Sequence, residues 1–454
     1  MSSDGPQDAP QDWRGILKHL GPGLIITACI VGSGELIATP KVGAEYGFSL
    51  LWFIIAGCMI KVLVQVELGR FAIAKGMTTL EAMNTMPGPR FIVSWLVWCW
   101  LFMFVGILFQ LGGIVGGVGK IVAEFGWFSQ FGDNIDRVIA IVVSGATVAI
   151  LASGKYKPVE VFSTIMVVFF TLATLFALGS LQFSPEMADY KISMADIGEG
   201  LKFKLPDDFS TAFAAFGIIG VGASELIYYP YWCLEKGYAR NVGTANPTTV
   251  WYERAKGWLR IMRIDAWLSM VVYTGATVAF FLLGAALLHG TGKEVEDGNM
   301  IAALSEMYRP LGQAGLTIFL VGAFVVLFST MVTASGSNAR LLADGLILYK
   351  IIPKPTDDEA RAKLLSKCCI AVPVFCAVVY FLVGAPVSLV LIGGVAQALM
   401  LPFLSIAALY FRYKQTDKPL QPGTVWTIFL WISALAMSGV GLFQLYRKIA
   451  GALN

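Results

Sequence analysis

Ten residues of this chain could do chemistry, and they occur twice. VGSGELIATP, Val31–Pro40, lies inside the first long apolar stretch, and VGASELIYYP, Val221–Pro230, lies inside a later one. At that offset of 190 residues, eight of the seventeen positions from 31 to 47 are identical. Each copy sets a glutamate, Glu35 or Glu225, beside a run of small residues, Gly32-Ser33-Gly34 or Gly222-Ala223-Ser224. A charge at the bilayer centre costs roughly 2.5–3.5 kcal/mol on insertion scales, so such residues face the protein interior and mark ion or substrate paths. Two carboxylates at equivalent depth repel each other unless a cation or a proton lies between them. Glycine in a helix costs about 1 kcal/mol relative to alanine. A break at the small residues would free backbone carbonyls, which membrane depth tolerates only beside a cavity or within packed protein. Carboxylates and free carbonyls make a hard, all-oxygen ligand set suited to Mg²⁺, Ca²⁺ or Mn²⁺. The expected metal ligands are therefore Glu35, Glu225, Gly32, Ser33, Gly222 and Ser224. Two plainer readings stand beside this one: protonated glutamates bonded to a neighbouring helix, and close helix packing through small residues.

The elements that must position these residues are membrane spans. Of the 454 residues, 57% are hydrophobic and 14% charged, with mean hydropathy +0.71; soluble domains run near a quarter charged. Eleven spans are predicted, at 17–39, 48–67, 92–118, 138–153, 159–182, 210–234, 263–288, 313–335, 366–384, 386–411 and 424–446. Of the 33 Lys and Arg residues, 22 fall in the loops after the even-numbered spans and in the N-terminal tail, and ten on the other side. This bias puts the N-terminus in the cytoplasm and the C-terminus outside. The predicted organisation is a disordered cytoplasmic tail over 1–16, a first repeat over 17–182, an extracellular loop over 183–209, a second repeat over 210–411, and a final span at 424–446. Spans 1 and 6 carry the repeated phrase. Five spans separate their starts, so the second copy enters from the opposite side. That is an inverted repeat, the plan of secondary transporters with a midplane site.

The remaining polar residues are read more plainly. Glu45 and Glu235 also repeat at the same offset and are expected as solvated helix ends, with gating as the alternative. Lys61, inside span 2, is expected to snorkel toward the cytoplasm, with pairing to a site carboxylate as the alternative. Gln397, inside span 10, is expected either to line the cavity or to bond across helices. Seven cysteines lack metal or disulfide spacing, and two histidines leave little for imidazole chemistry. No HExxH, GxSxG or P-loop appears, so no enzyme, catalytic residue or bound cofactor is expected. Spread-out charge gives no reason to expect nucleic acid, and no obligate protein partner is evident.

At GPGLIITACIVGSGELIATPKVGAEYGFSLLW, TMVTASGSNARLLADG and QALMLPF the chain resembles the Nramp family of divalent-metal transporters, over nearly its whole length. The resemblance implies an all-α polytopic membrane protein of LeuT type, with a 5+5 inverted repeat and one extra helix. In that family an Asp-Pro-Gly-Asn motif on helix 1 and an Ala-x-x-Met-Pro-His motif on helix 6 hold the metal. Here the helix 1 positions are Gly32, Ser33, Gly34 and Glu35. On helix 6 the Ala position is Gly222, the Met position aligns with Glu225, and Pro and His fall on Leu226 and Ile227. The thioether and the histidine tied to proton movement are both missing. The chain looks like the divergent, Nramp-related branch, some members of which carry Mg²⁺.

The expected function is alternating-access transport of divalent cations, Mg²⁺ and Mn²⁺ favoured and not proton-coupled, in a plasma (inner) membrane. The partners implied are the divalent ion and the lipid bilayer. The alternatives are a cation-coupled transporter of a small organic solute such as an amino acid, and a membrane metal sensor that does not transport.

Overall fold

The computed structural model describes residues 5–32, 34–125, 135–207, 210–290, 305 and 312–453. Most of them are helical. The two phrases behave alike. Helix α2, Pro22–Ile30, starts on a proline in its first turn and stops at Val31. The chain resumes as a π turn, Gly34–Ala38, and continues as α3, Thr39–Tyr46. In the second copy α10, Ser210–Phe216, stops, and α11, Ala223–Lys236, begins after Gly222. Gly220 lies between them at φ +63, a left-handed conformation that glycine adopts without a Cβ penalty.

The first repeat continues through α4, Leu51–Lys75, α6, Trp95–Glu124, α7, Ile135–Leu151, and α8, Tyr156–Phe183. The second continues through α13, Thr249–Leu287, α14, Gly312–Leu348, α15, Asp358–Val383, and α16, Pro386–Tyr410. Helix α17 is Thr424–Leu453. Four short helices decorate the ends: α1, Trp13–His19, α5, Thr79–Asn84, α9, Met194–Gly200, and α12, Tyr238–Val242. A two-residue ladder pairs Arg90–Phe91 with Val93–Ser94.

Every expected span lies mainly on helix, yet only eight stretches of the described residues are long and apolar enough to cross a membrane. Three local causes account for the difference from eleven. Helix α7 has 17 residues, the α10–α11 segment is broken, and the first two expected spans merge into one stretch, Pro22–Lys75.

Packing follows the repeat. Helix α3 packs on α13 as α11 packs on α4, and α6 packs on α16 as α14 packs on α8. The α3–α13 contact is backbone on backbone. A Cβ on Gly43 would meet the Phe281 carbonyl oxygen and lie 2.7 Å from the Ala285 nitrogen. One on Gly284 would lie 2.5 Å from Pro40 Cα. Backbone cannot rotate out of the way as a side chain can, and overpacking costs about 1–3 kcal/mol. Gly43→Val is therefore expected to lower the apparent melting temperature of the purified protein. Gly275→Ala, whose Cβ meets nothing within 4 Å, should leave it unchanged.

The N-terminal stretch departs from expectation. Residues 1–4 lie outside the described residues, but 5–16 are packed rather than disordered. Gln7 donates its backbone N–H to the Asn241 carbonyl at 2.9 Å and accepts from the Trp258 indole at 2.8 Å. Asp8 pairs with Arg254 at 3.0 Å. Asp12 caps α1, and Ile16 and Ala9 are buried. Two apolar side chains, an acceptor on α12 and two donors on α13 give this polar segment enough to order it.

Candidate metal-ion site

Breaking a buried helix leaves N–H and C=O groups that must find partners, and here the two breaks partner each other and their surroundings. A Cβ on Gly34 would stand 2.8 Å from the Ile218 carbonyl oxygen, so the two breaks cross at close range. The Thr330 hydroxyl, from α14, lies 3.1 Å from the Val31 carbonyl and 3.2 Å from that of Ala28. The Thr39 hydroxyl donates to Gly34 O at 3.0 Å. The Gly220 N–H donates to Glu35 at 3.3 Å, and the Ser224 N–H to Gln397 Oε1 at 3.1 Å.

The structure separates the two glutamates expected to share an ion. Glu35 is fully buried and spans the breaks. Its Oε1 accepts from the Gly220 N–H and from the Thr277 hydroxyl at 3.2 Å, and its Oε2 from the Gly32 N–H at 3.3 Å. Glu225 instead borders a small cavity of about 20 Å³. Its Oε2 accepts from the Ser224 hydroxyl at 2.8 Å and its Oε1 lies 3.4 Å from Cys29 Sγ. Ser224, Gln397, Gln110, Tyr228 and Thr330 also line this cavity. Of the expected ligands, Ser224 and Glu225 are on the wall, while Gly32, Gly222 and Glu35 are not. Ser33 lies outside the described residues. A Cβ on Gly222 would lie 2.5 Å from Glu225 Oε2 and would also meet Gln397 Oε1, so this glycine makes room for the wall without forming it. The described residues contain no group of three or more His, Cys, Asp or Glu placed to hold a metal.

Gln397, expected either to line the cavity or to bond across helices, is placed so that it does both here. It lines the cavity, accepts from Ser224 and donates to Gln110 Oε1 at 2.9 Å. Cys29, Gln110, Tyr228 and Thr330 were not among the expected site residues. Gln110 and Thr330 come from helices that meet the breaks only in three dimensions, where single polar residues in apolar runs carry little signal. Cys29 and Tyr228 lie on the broken helices themselves, and only the direction of their side chains, which the phrase does not give, brings them to the wall.

Two further expectations fail for identifiable reasons. Lys61 does not snorkel. It is wholly buried, donates to Ile219 O at 2.7 Å and to Phe216 O, and lies 4.2 Å from the Phe216 ring centroid. The carbonyls at the end of α10 supply what water would have supplied. Nor is Glu235 a free helix end. It takes two hydrogen bonds from Arg340, at 2.6 and 2.8 Å, and that guanidinium lies 4.0 Å from the Trp232 ring. Glu45 is exposed, as expected. A larger groove of about 720 Å³ between α6 and α16 is lined by residues such as Phe102, Val105 and Ile392 and contains no carboxylate.

The family model described as Nramp, natural resistance-associated macrophage protein-like, matches residues 23–447. The chain is 23% identical over 443 residues to the divalent metal cation transporter MntH of Deinococcus radiodurans, covering 97% of this chain and 92% of that protein. It superposes on the manganese transporter of Eremococcus coleocola with TM-score 0.69 at 12% identity, covering 100% of this chain and 92% of the other. It also superposes on MhsT, solved with L-phenylalanine, with TM-score 0.58 at 14% identity, covering 97% and 99%. At such identities the likeness speaks for the fold, an all-α inverted repeat of LeuT type.

Proposed function

The chain belongs to the Nramp family, and on that premise we propose that it carries divalent metal cations across a membrane by alternating access. One observation supports the reading most. Glu225 borders a small cavity where the two broken helices cross, and among the apolar side chains of its wall stand the Ser224 hydroxyl and the Gln397 and Gln110 amides. These are oxygen donors for a hard ion, and Mg²⁺ and Mn²⁺ are the favoured cargoes. The cavity of about 20 Å³ has room for about one water molecule. A hydrated Mg²⁺, which gives up its shell reluctantly, enters only after the half-helices move apart. This is the expected behaviour of the closed state in an alternating cycle. The same volume speaks against an organic solute held in this state.

Eleven crossings with the N-terminus in the cytoplasm, in a plasma membrane, complete the proposal. Transport is expected without proton coupling, since Leu226 and Ile227 stand where the family's Pro and His would be. Uptake by purified protein in proteoliposomes, with Mg²⁺, Mn²⁺ and Ca²⁺ outside and a pH dye inside, tests it. Entry of Mg²⁺ and Mn²⁺ without acidification is the expected result. Acidification in step with uptake would overturn the uncoupled mechanism, and no flux from folded protein would overturn transport.

A further inference from the structure

Helix α10 ends in the middle of the protein. The Ala215 carbonyl still accepts from the Ile218 and Ile219 N–H groups, but the carbonyls of Phe216, its last residue, and of Ile219 just beyond it take their donor from another helix. A helix C-terminus carries partial negative charge of about half an elementary unit. In transporters built from inverted repeats, unwound carbonyls and half-helix C-terminal ends are where coupling Na⁺ or H⁺ binds. Here that place is already taken. The Lys61 ammonium, from α4, donates to Phe216 O and to Ile219 O at 2.7 Å, and the Phe216 ring covers a further side at 4.2 Å. Two carbonyl oxygens and a π face are the kind of shell a desolvated monovalent cation accepts. The lysine is wholly buried, and no carboxylate lies within ion-pair distance of it among the described residues. What holds the ammonium is the broken backbone itself.

We propose that Lys61 is a tethered cation in the seat a free monovalent ion would otherwise take at the end of α10, which makes transport independent of Na⁺ and K⁺. The proposal rests on the transport reading and deepens it by naming what the ion cycle does without. Because the tether is covalent, the charge cannot leave with the cargo. Removing the side chain empties the seat and leaves Phe216 O and Ile219 O without a donor at a buried helix end, which is costly unless another cation arrives.

The test uses the full-length protein. Wild-type divalent uptake should be unchanged when external and internal Na⁺ and K⁺ are replaced by choline. Lys61→Ala, purified in NaCl or KCl, should melt lower than wild type in choline. Its apparent melting temperature should rise by about 3 °C or more with saturating Na⁺ or K⁺, while wild type shows no such rise. Lys61→Met, which refills the space with an apolar chain, should melt low and not respond to either ion. A wild type that needs Na⁺ or K⁺ for uptake would overturn the proposal even where neither variant folds. So would a folded Lys61→Ala that ignores both ions, or a Lys61→Met that responds as Lys61→Ala does. The thermal readout requires no flux, so failure of divalent transport and failure of this proposal are read separately.

Discussion

Glu225→Gln is expected to cut divalent-cation affinity and uptake by about 100-fold, the equivalent of roughly 3 kcal/mol, with little change in stability. Glu225 is the sole carboxylate on the cavity wall among the described residues, so the variant removes the site's only fixed negative charge. Its amide can still meet the Ser224 hydroxyl, since Gln donates and accepts. Glu35→Gln should behave differently. The Glu35 carboxylate accepts from two backbone N–H groups and a hydroxyl. An amide in its place turns an NH₂ toward one of those N–H groups and leaves both without an acceptor, at a cost of about 1–3 kcal/mol. The expected signature is a lower melting temperature and slower transport, with metal affinity kept within several-fold. Metal titration calorimetry and thermal unfolding of the two single variants separate these outcomes. Equal loss of affinity in both, with equal stability, would mean that the glutamates share the ion after all and that Glu35 turns toward the cavity when the ion binds.

That contrast marks the boundary of what the sequence makes legible. The repeat and the two breaks follow from VGSGELIATP and VGASELIYYP alone, because helix propensity and the cost of a membrane carboxylate act locally, and the inverted topology follows from the odd number of spans between the starts of the two copies. The direction in which each carboxylate points does not. Glu35 and Glu225 occupy equivalent positions in the two copies, yet Gly220 and Thr277 draw one into the breaks while Ser224 leaves the other on the cavity. Those partners are not themselves repeated. Gly220 corresponds to Ile30, and Ser224 to Gly34. Equivalent placement of the two glutamates thus coexists with different partners around them, inside the phrase and beyond it. Lys61 shows the same limit from the other side. The expectation that it would snorkel treats the surroundings as lipid and water, whereas the acceptors come from a helix end 155 residues further along the chain.

The asymmetry also bears on which metal is chosen, through Cys29. Its sulfur lies 3.4 Å from Glu225 Oε1 on the cavity wall. The family's soft donor belongs to helix 6, at the position Glu225 fills here, so this chain presents a sulfur from the opposite repeat instead. Mg²⁺ makes no use of sulfur, whereas thiolate favours Zn²⁺ and more generally the softer divalent ions. Cys29→Ser is expected to lower affinity for Zn²⁺ by about 10-fold, and for Mn²⁺ by less, while leaving Mg²⁺ unchanged, the serine hydroxyl being a hard donor of similar size. Binding to a thiol must also release its proton. Zn²⁺ titrations of wild type in buffers of different ionisation enthalpy should therefore show a proton released that Cys29→Ser does not release. A uniform loss across all three ions would instead mean that Cys29 only packs against Glu225. The metal preference would then rest on the oxygens of Glu225, Ser224 and Gln397, and sulfur would have left this site along with the helix 6 methionine position.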